Sequence, residues 1–407
     1  MLCLVLESLL VANRGEIARR IIATANQLGV RTIAVYSEAD ADLPFVREAT
    51  EAVLIGPAAP AESYLKVDAV LAAAKATGAA AIHPGYGFLS ENADFAQSVT
   101  EAGLIWVGPS PEAMRSMGDK IAARNRMQAA GVPVAPGTPD PVPDVAAALV
   151  AASEIGYPVM VKAAAGGGGI GMAAAYNDEE LTSAFETART RAERFFSSPS
   201  ILLEKYVPSA RHIEVQILGL ADGTVVALGE RDCSVQRRHQ KVAEESPSPA
   251  VTPEIRAAIL DAAVKAGQAV DYRNAGTVEM LFDTSTGDAW FLEMNTRLQV
   301  EHPVTEAVTG LDLVAEQLRI AAGEAPSFDP ANPPSANGHA IELRVYAEDP
   351  KRFLPGPGAI TEWVEPTGDG VRVDSGYESG NKVTPFYDPL LAKLIVHGDD
   401  RADAISK

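Results

Sequence analysis

Three observations predict an α/β chain, α+β overall, built in successive units. Strand and helix patterns alternate through the first ~115 residues, as in a parallel sheet joined by crossover helices. A run of glycines, Gly166 to Gly169, lies between two strand patterns. After Gly338, short strands and turns dominate. The N-terminal unit is therefore Rossmann-like, a smaller glycine-loop unit follows, and the C-terminal end is β-rich. The length of 407 residues fits two or three domains at ~150 residues each.

Leu9 to Ala12 forms the first strand pattern. Glu16 to Leu28 follows as a helix, with Ile17, Ile21 and Leu28 on one face and Gly29 as its stop. Thr32 to Tyr36, Ala52 to Ile55, Ala79 to His83 and Ile105 to Val107 repeat the strand pattern, with helices Tyr64 to Ala76 and Asn92 to Ala102 between them. A long helix pattern ends near Ala130, and the Pro/Gly-rich stretch Gly131 to Pro143 is a linker. The strand Pro158 to Lys162, the glycine run, the strand Met172 to Tyr176, the helix Glu179 to Phe195 and the strand Ile201 to Tyr206 make the next unit. From Arg211 strands prevail, with helices at Pro253 to Val270 and Leu311 to Ala322.

The chain has 34 basic and 54 acidic residues, a net charge of −20, which speaks against wrapping nucleic acid. Small anions stay possible, because their binding follows local charge. Apolar residues are 47% of the chain, which excludes global disorder. Two cysteines, Cys3 and Cys233, make no disulfide framework and fit a reducing, cytoplasmic setting. No uncharged apolar run reaches the ~18 residues a membrane span needs. Met1 to Val11 is apolar but carries Glu7 and lacks a basic start, so an edge strand is expected there, not a signal peptide.

Three segments carry chemistry. The first runs from Lys162 through Gly166-Gly167-Gly168-Gly169 to Met172. Consecutive glycines leave backbone N–H groups free to face a triphosphate, and a lysine at the strand end adds positive charge. It is not a Walker loop, and the turn Asn13-Arg14-Gly15-Glu16 lacks the dinucleotide fingerprint, which argues against a dehydrogenase. The second is Glu279 on an apolar strand, followed by Glu293 to Pro303. Two carboxylates on adjacent strands with Asn295 suit Mg²⁺ bridging nucleotide phosphates. The third, Glu230 to Lys241, is a basic and amide cluster that fits an anion pocket beside the other two.

These pieces, in this order, resemble the ATP-grasp ligases. Asn13 to Ala18, His83 to Asn92, Met117 to Lys120, Glu230 to Lys241 and Glu293 to Pro303 resemble, more closely, the biotin carboxylase component of biotin-dependent carboxylases. The resemblance runs from about Leu9 to the chain end. It implies a Rossmann-like domain at 1–115, an ATP-grasp domain at 116–322 with a mobile lid at about 132–206, and an incomplete β-rich domain at 323–407. The implied reaction is ATP-dependent carboxylation of biotin by bicarbonate through carboxyphosphate, the first half-reaction of an acetyl-, propionyl- or other acyl-CoA carboxylase.

By the same resemblance, Lys120, Lys162, Gly168 and Gly169 hold ATP phosphates. Glu204, Lys205, Tyr206 and Val207 form the adenine hinge, and His212, Gln236 and His239 lie along the nucleotide. Glu279, Glu293 and Asn295 hold Mg²⁺ or Mn²⁺. Lys241, Arg297, Gln299 and Val300 form the bicarbonate pocket. Glu301 is the general base, Arg344 stabilises the biotin enolate, and His302 is structural. A guanidinium fork suits a planar carbonate.

Ala164, Ala165 and Ile170 depart from the residues that many members carry, but backbone donors survive there. The chain stops within a starting helix at 401–407, so a fragment or a truncated product is expected. A Met-Lys-Met attachment motif is absent, so biotin would arrive on a separate carboxyl carrier domain, with a carboxyltransferase component completing the reaction. Arg20 matches a homodimer-interface position. The alternatives are an ATP-grasp ligase that does not use biotin, and an inactive homologue that serves only in assembly.

Overall fold

The N-terminal alternation builds a five-stranded parallel sheet in the order Glu51–Gly56, Arg31–Ser37, Ser8–Val11, Ala81–His83, Ile105–Trp106. This comes from a computed structural model, which describes residues 6–163, 172–196, 199–238 and 240–407. Ser8–Val11 is the central strand of that sheet, not the expected edge. The reason is visible in its composition: Leu9, Leu10 and Val11 are wholly buried, and a continuous apolar run suits a strand covered on both faces. The chain winds outward in opposite directions from this strand, so the loops after Ser8–Val11 and Ala81–His83 meet at a switch point. There Asn13 Nδ2 donates to the carbonyls of Pro84 at 2.6 Å and Tyr86 at 2.8 Å.

The expected long helix before Ala130 is two helices, Pro111–Gly118 and Lys120–Ala129. Asp119 between them is extended, and its carboxylate caps the second helix by accepting from the N–H groups of Ile121 and Ala122. Lys120 is thereby the first residue of a helix.

A separate three-stranded antiparallel sheet, Ala173–Ala175, Val159–Ala163 and Ile201–Lys205, packs against the helices Val145–Ile155 and Asp178–Phe196. Gly168 and Gly169, with Ala164, Ala165 and Ile170, lie outside the described residues, as does His239.

The largest element is an eight-stranded antiparallel sheet. Its order is Ala289–Asn295, Asn274–Asp283, Ala210–Gly219, Val225–Arg237, Gln240–Ser246, His339–Tyr346, Leu390–Gly398, Val371–Ser375. Strands from before and after residue 323 share this one ladder. Ile213, Val215 and Ile217 of Ala210–Gly219 join the apolar cluster with Ile259, Ala262 and Ala263 of the helix Pro253–Gln268. Alternation sends His212, Glu214 and Gln216 to the opposite face. Among the described residues, no helix is long and apolar enough to cross a membrane.

Candidate active site

The polar face of the large sheet carries an unusual row of charges. Glu293, Glu279, Glu214 and Arg231 stand opposite one another on four successive strands. Like charges directly across a ladder repel, and Glu214 and Glu279 are both buried. The row is stable only because cations are threaded into it.

Lys241, from the strand Gln240–Ser246, is the main one. Its Nζ donates to Glu279 at 3.0 Å and Glu301 at 2.8 Å, and it also bonds Glu214. His212 Nε2 lies 3.0 Å from Glu214 and 2.9 Å from Glu279. Burial alone lowers the His212 pKa, but its bonds to the two carboxylates outweigh that and push it to about 10. Burial likewise works to raise Glu214, and Lys241 overcomes it, leaving the carboxyl at about 2. Glu279 falls well below the usual carboxylate range by the same balance between burial and Lys241.

Glu301 sits just before the helix His302–Thr309 and is buried. Lys241 holds one carboxylate oxygen, and Arg344 Nη2 holds the other at 2.9 Å. Burial opposes ionisation of Glu301, but the two cations keep its pKa below the ordinary value. Arg344, on His339–Tyr346, also donates from Nε to Glu244 Oε1 at 2.7 Å. Glu244 is pushed up to about 7, chiefly by burial against the pull of Arg344.

Arg297 Nη2 donates to Asn295 Oδ1 at 3.0 Å, and its Nε lies 3.2 Å from Glu91 at the switch-point loop. Asn295 Nδ2 donates to Glu279 Oε1 at 2.6 Å. Gln299 Nε2 reaches the same oxygen at 3.0 Å. The Val300 carbonyl accepts from Lys393 Nζ at 2.9 Å. Lys393 is wholly buried and pairs with Glu16, from the first helix, at 3.2 Å. His302 is buried, its Nδ1 2.7 Å from the Gln299 carbonyl, and burial lowers its pKa well below the ordinary value. It packs as a structural residue.

Lys241, Glu279, Asn295, Arg297, Gln299, Glu301, Arg344 and His212 thus form one connected network. Lys162 and Glu204 pair with each other on the three-stranded sheet. Lys205 Nζ is spent on the carbonyls of Gly156 and Tyr157, both at 2.9 Å. With Tyr206, Val207 and Trp290 it lines a cavity of about 350 Å³. Gln236 turns to the Cys233 carbonyl at 2.9 Å. Lys120 lies 4.0 Å from Glu293, and both line a cavity of about 250 Å³ with Glu91 and Asn295.

Glu279, Glu293 and Asn295 offer oxygen donors on two adjacent strands, the hard ligands a magnesium ion takes. The Glu293 carboxyl is raised by burial and by Glu279, a repulsion that a bound cation relieves. His212, Glu214 and Glu279 also place ligand atoms within 4.8 Å of one another, but Lys241 already fills that charge cluster. The residues fit a divalent ion on the Glu279–Glu293 side.

Glu214, Glu244 and Lys393 were not anticipated, and Arg231 and Glu91 fell within the segments Glu230 to Lys241 and His83 to Asn92 without a role of their own. Glu214 had a signal: His212, Glu214 and Gln216 alternate with Ile213, Val215 and Ile217, so a strand buried on both faces carries its polar residues toward something.

Residues 5–114 match the family described as biotin carboxylase, N-terminal domain, and residues 342–407 match the biotin carboxylase C-terminal domain. Residues 119–327 match the carbamoyl-phosphate synthase L chain, ATP binding domain. The chain is 54% identical over 398 residues to biotin carboxylase 2 of Bacillus subtilis, covering 98% of this chain and 89% of that one. It is 50% identical to a pyruvate carboxylase subunit of Methanothermobacter thermautotrophicus, covering 98% and 81%. The biotin carboxylase domain dimer of Hydrogenobacter thermophilus 2-oxoglutarate carboxylase, solved with MgADP, ADP and bicarbonate, superposes with a TM-score of 0.91 at 45% identity, covering 98% and 88%. Matched along nearly its whole length, and carrying this charge network on its central sheet, the chain belongs to the biotin carboxylase family of ATP-grasp ligases.

Proposed function

We propose that the network around Lys241 activates bicarbonate with ATP and passes the carboxyl group to biotin carried on a separate domain. The observation that carries this is the double grip on Glu301, with one oxygen on Lys241 and the other on Arg344. A buried carboxylate held ionised between two cations is ready to accept a proton from bicarbonate. The bicarbonate oxygen then attacks the γ-phosphorus as ADP leaves, giving carboxyphosphate. Carboxyphosphate breaks down to CO₂ and phosphate, phosphate takes the biotin N1 proton, and N1 attacks CO₂.

In this reading Arg297, Gln299, Lys241 and the Val300 backbone hold bicarbonate. Arg344 stabilises the ureido oxygen as it gains charge. Lys120, Lys162, Gly168 and Gly169 hold the ATP phosphates, Glu204 to Val207 read the adenine, and His212, Gln236 and His239 contact the nucleotide along its length. Mg²⁺ held by Glu279, Glu293 and Asn295 would neutralise charge on the transferred phosphate. The parts at 1–115, 116–322 and 323–407 act as three domains, a division supported by the three matched segments.

The setting proposed is an acyl-CoA carboxylase in the cytoplasm, with a carrier domain and a carboxyltransferase component as partners. A homodimer is supported by the dimer described for the 2-oxoglutarate carboxylase domain. Pyruvate is the competing acceptor, because a 50% identical relative belongs to a pyruvate carboxylase. Purified chain with Mg-ATP, bicarbonate and free biotin is expected to release ADP in a biotin-dependent manner. ADP release that ignores biotin overturns the proposal.

A further inference from the structure

Arg231 is the fully buried cation of the charge row, at 0% exposure on the strand Val225–Arg237. Its Nη1 donates to Gln216 Oε1 at 2.8 Å and Thr305 Oγ1 at 3.0 Å. Its Nη2 donates to Gln299 Oε1 at 2.8 Å and Thr277 Oγ1 at 3.0 Å, and lies 3.4 Å from Glu214 Oε2. A guanidinium has donors only, so every group around it must present an oxygen.

That requirement fixes the Gln299 amide. With its oxygen on Arg231, its NH₂ points to Glu279 Oε1 at 3.0 Å. Turning the amide over would set NH₂ against the guanidinium and carbonyl oxygen against carboxylate. Both ends would be lost at once, in a buried site where unpaired polar groups are costly. Gln216 and the two threonines lock the guanidinium plane, and a lysine ammonium has no such plane.

We propose that Arg231 is a positioning residue for the reaction: it holds the Gln299 amide with its N–H₂ turned into the site, where a carbonate oxygen is received. The inference rests on Gln299 meeting bicarbonate, as proposed above. It places on the bicarbonate side a residue that need not touch any substrate.

The test is a double-mutant cycle on the full chain, read as KM for bicarbonate and for ATP in biotin-dependent ADP release. R231K is expected to raise the bicarbonate KM about tenfold while the ATP KM changes less than about twofold. In a Gln299→Ala background, R231K should add no further rise, because its effect runs through that amide. Equal factors in both backgrounds, or matching rises for ATP and bicarbonate, overturn the proposal alone. An unchanged bicarbonate KM in Gln299→Ala overturns the reading of Gln299 and this inference with it. Should R231K not fold, Thr305→Val removes one anchor of the guanidinium. It should raise the bicarbonate KM by about two- to threefold in wild type and not in the Gln299→Ala background, and any other pattern refutes the inference.

Discussion

Lys241 Nζ stands 2.8 Å from Glu301 Oε1, with Arg344 Nη2 2.9 Å from the other oxygen of the same carboxylate. The Glu301 carboxylate is therefore held ionised, and it is held from both sides. Glu301→Gln keeps the size and loses the proton acceptor. Biotin-dependent turnover should fall by about 10³-fold, while nucleotide binding, measured by fluorescence titration or calorimetry, changes less than about twofold. Turnover near the wild-type rate would show that the proton goes elsewhere.

Glu293 faces Glu279 across the ladder and is opposed only distantly by Lys120, at 4.0 Å. Glu293→Gln should raise the Mg²⁺ concentration for half-maximal ADP release by about tenfold or more, with recovery at high Mg²⁺. A Mg²⁺ titration that overlays the wild type removes Glu293 from the metal site.

Much of this site was legible because it is local. Glu293 to His302 is one continuous segment, and the strand–loop chemistry of Glu279 and Asn295 follows from alternation. The parts that were not legible depend on register. Nothing local says that Glu214 joins Glu279 and Glu293 in one row, since that requires knowing which further strand is the neighbour. Lys393 is more distant still: it lies 93 residues from its Val300 partner and reads in sequence as one lysine in an apolar strand. In the fold, the first sheet was anticipated strand by strand, but Ser8–Val11 was misplaced to an edge. Its short run shows burial without showing how many neighbours cause it.

Lys393 and Glu16 form an ion pair of two buried groups, joining the strand Leu390–Gly398 to the first helix. Removing one partner strands a charge in the interior. Lys393→Met should lower the unfolding free energy by about 3 kcal/mol or more, seen as a lower denaturant midpoint. A midpoint within error of wild type would mean the pair contributes nothing to stability.

His83 is buried with Nδ1 accepting from the Gly85 N–H at 3.0 Å and Nε2 3.1 Å from Gln317 Oε1. Burial lowers its pKa to about 4. Unfolded, the ring titrates near 6.5, so between those values the unfolded chain binds the extra proton. Stability from this group is complete above about pH 6.5 and drains away as pH falls toward 4, by about 3 kcal/mol in total. Unfolding of wild type and His83→Gln compared at pH 7.5 and 4.5 should show the stability gap narrowing at the lower pH. A gap that holds constant contradicts a neutral buried ring.

Lys241, Glu279 and Arg344 ride on strands of one ladder, whereas Lys162 and Glu204 belong to a separate sheet. The hydrogen bonds that hold Glu301, to Lys241 and Arg344, both come from the eight-stranded sheet and none from the three-stranded one. The large sheet is in effect an anvil: the spacing of Glu301, Lys241 and Arg344 is cast into one plate. A change confined to the sheet that carries Lys162 and Glu204 would therefore leave the distances between Glu301 and its two cations as they are.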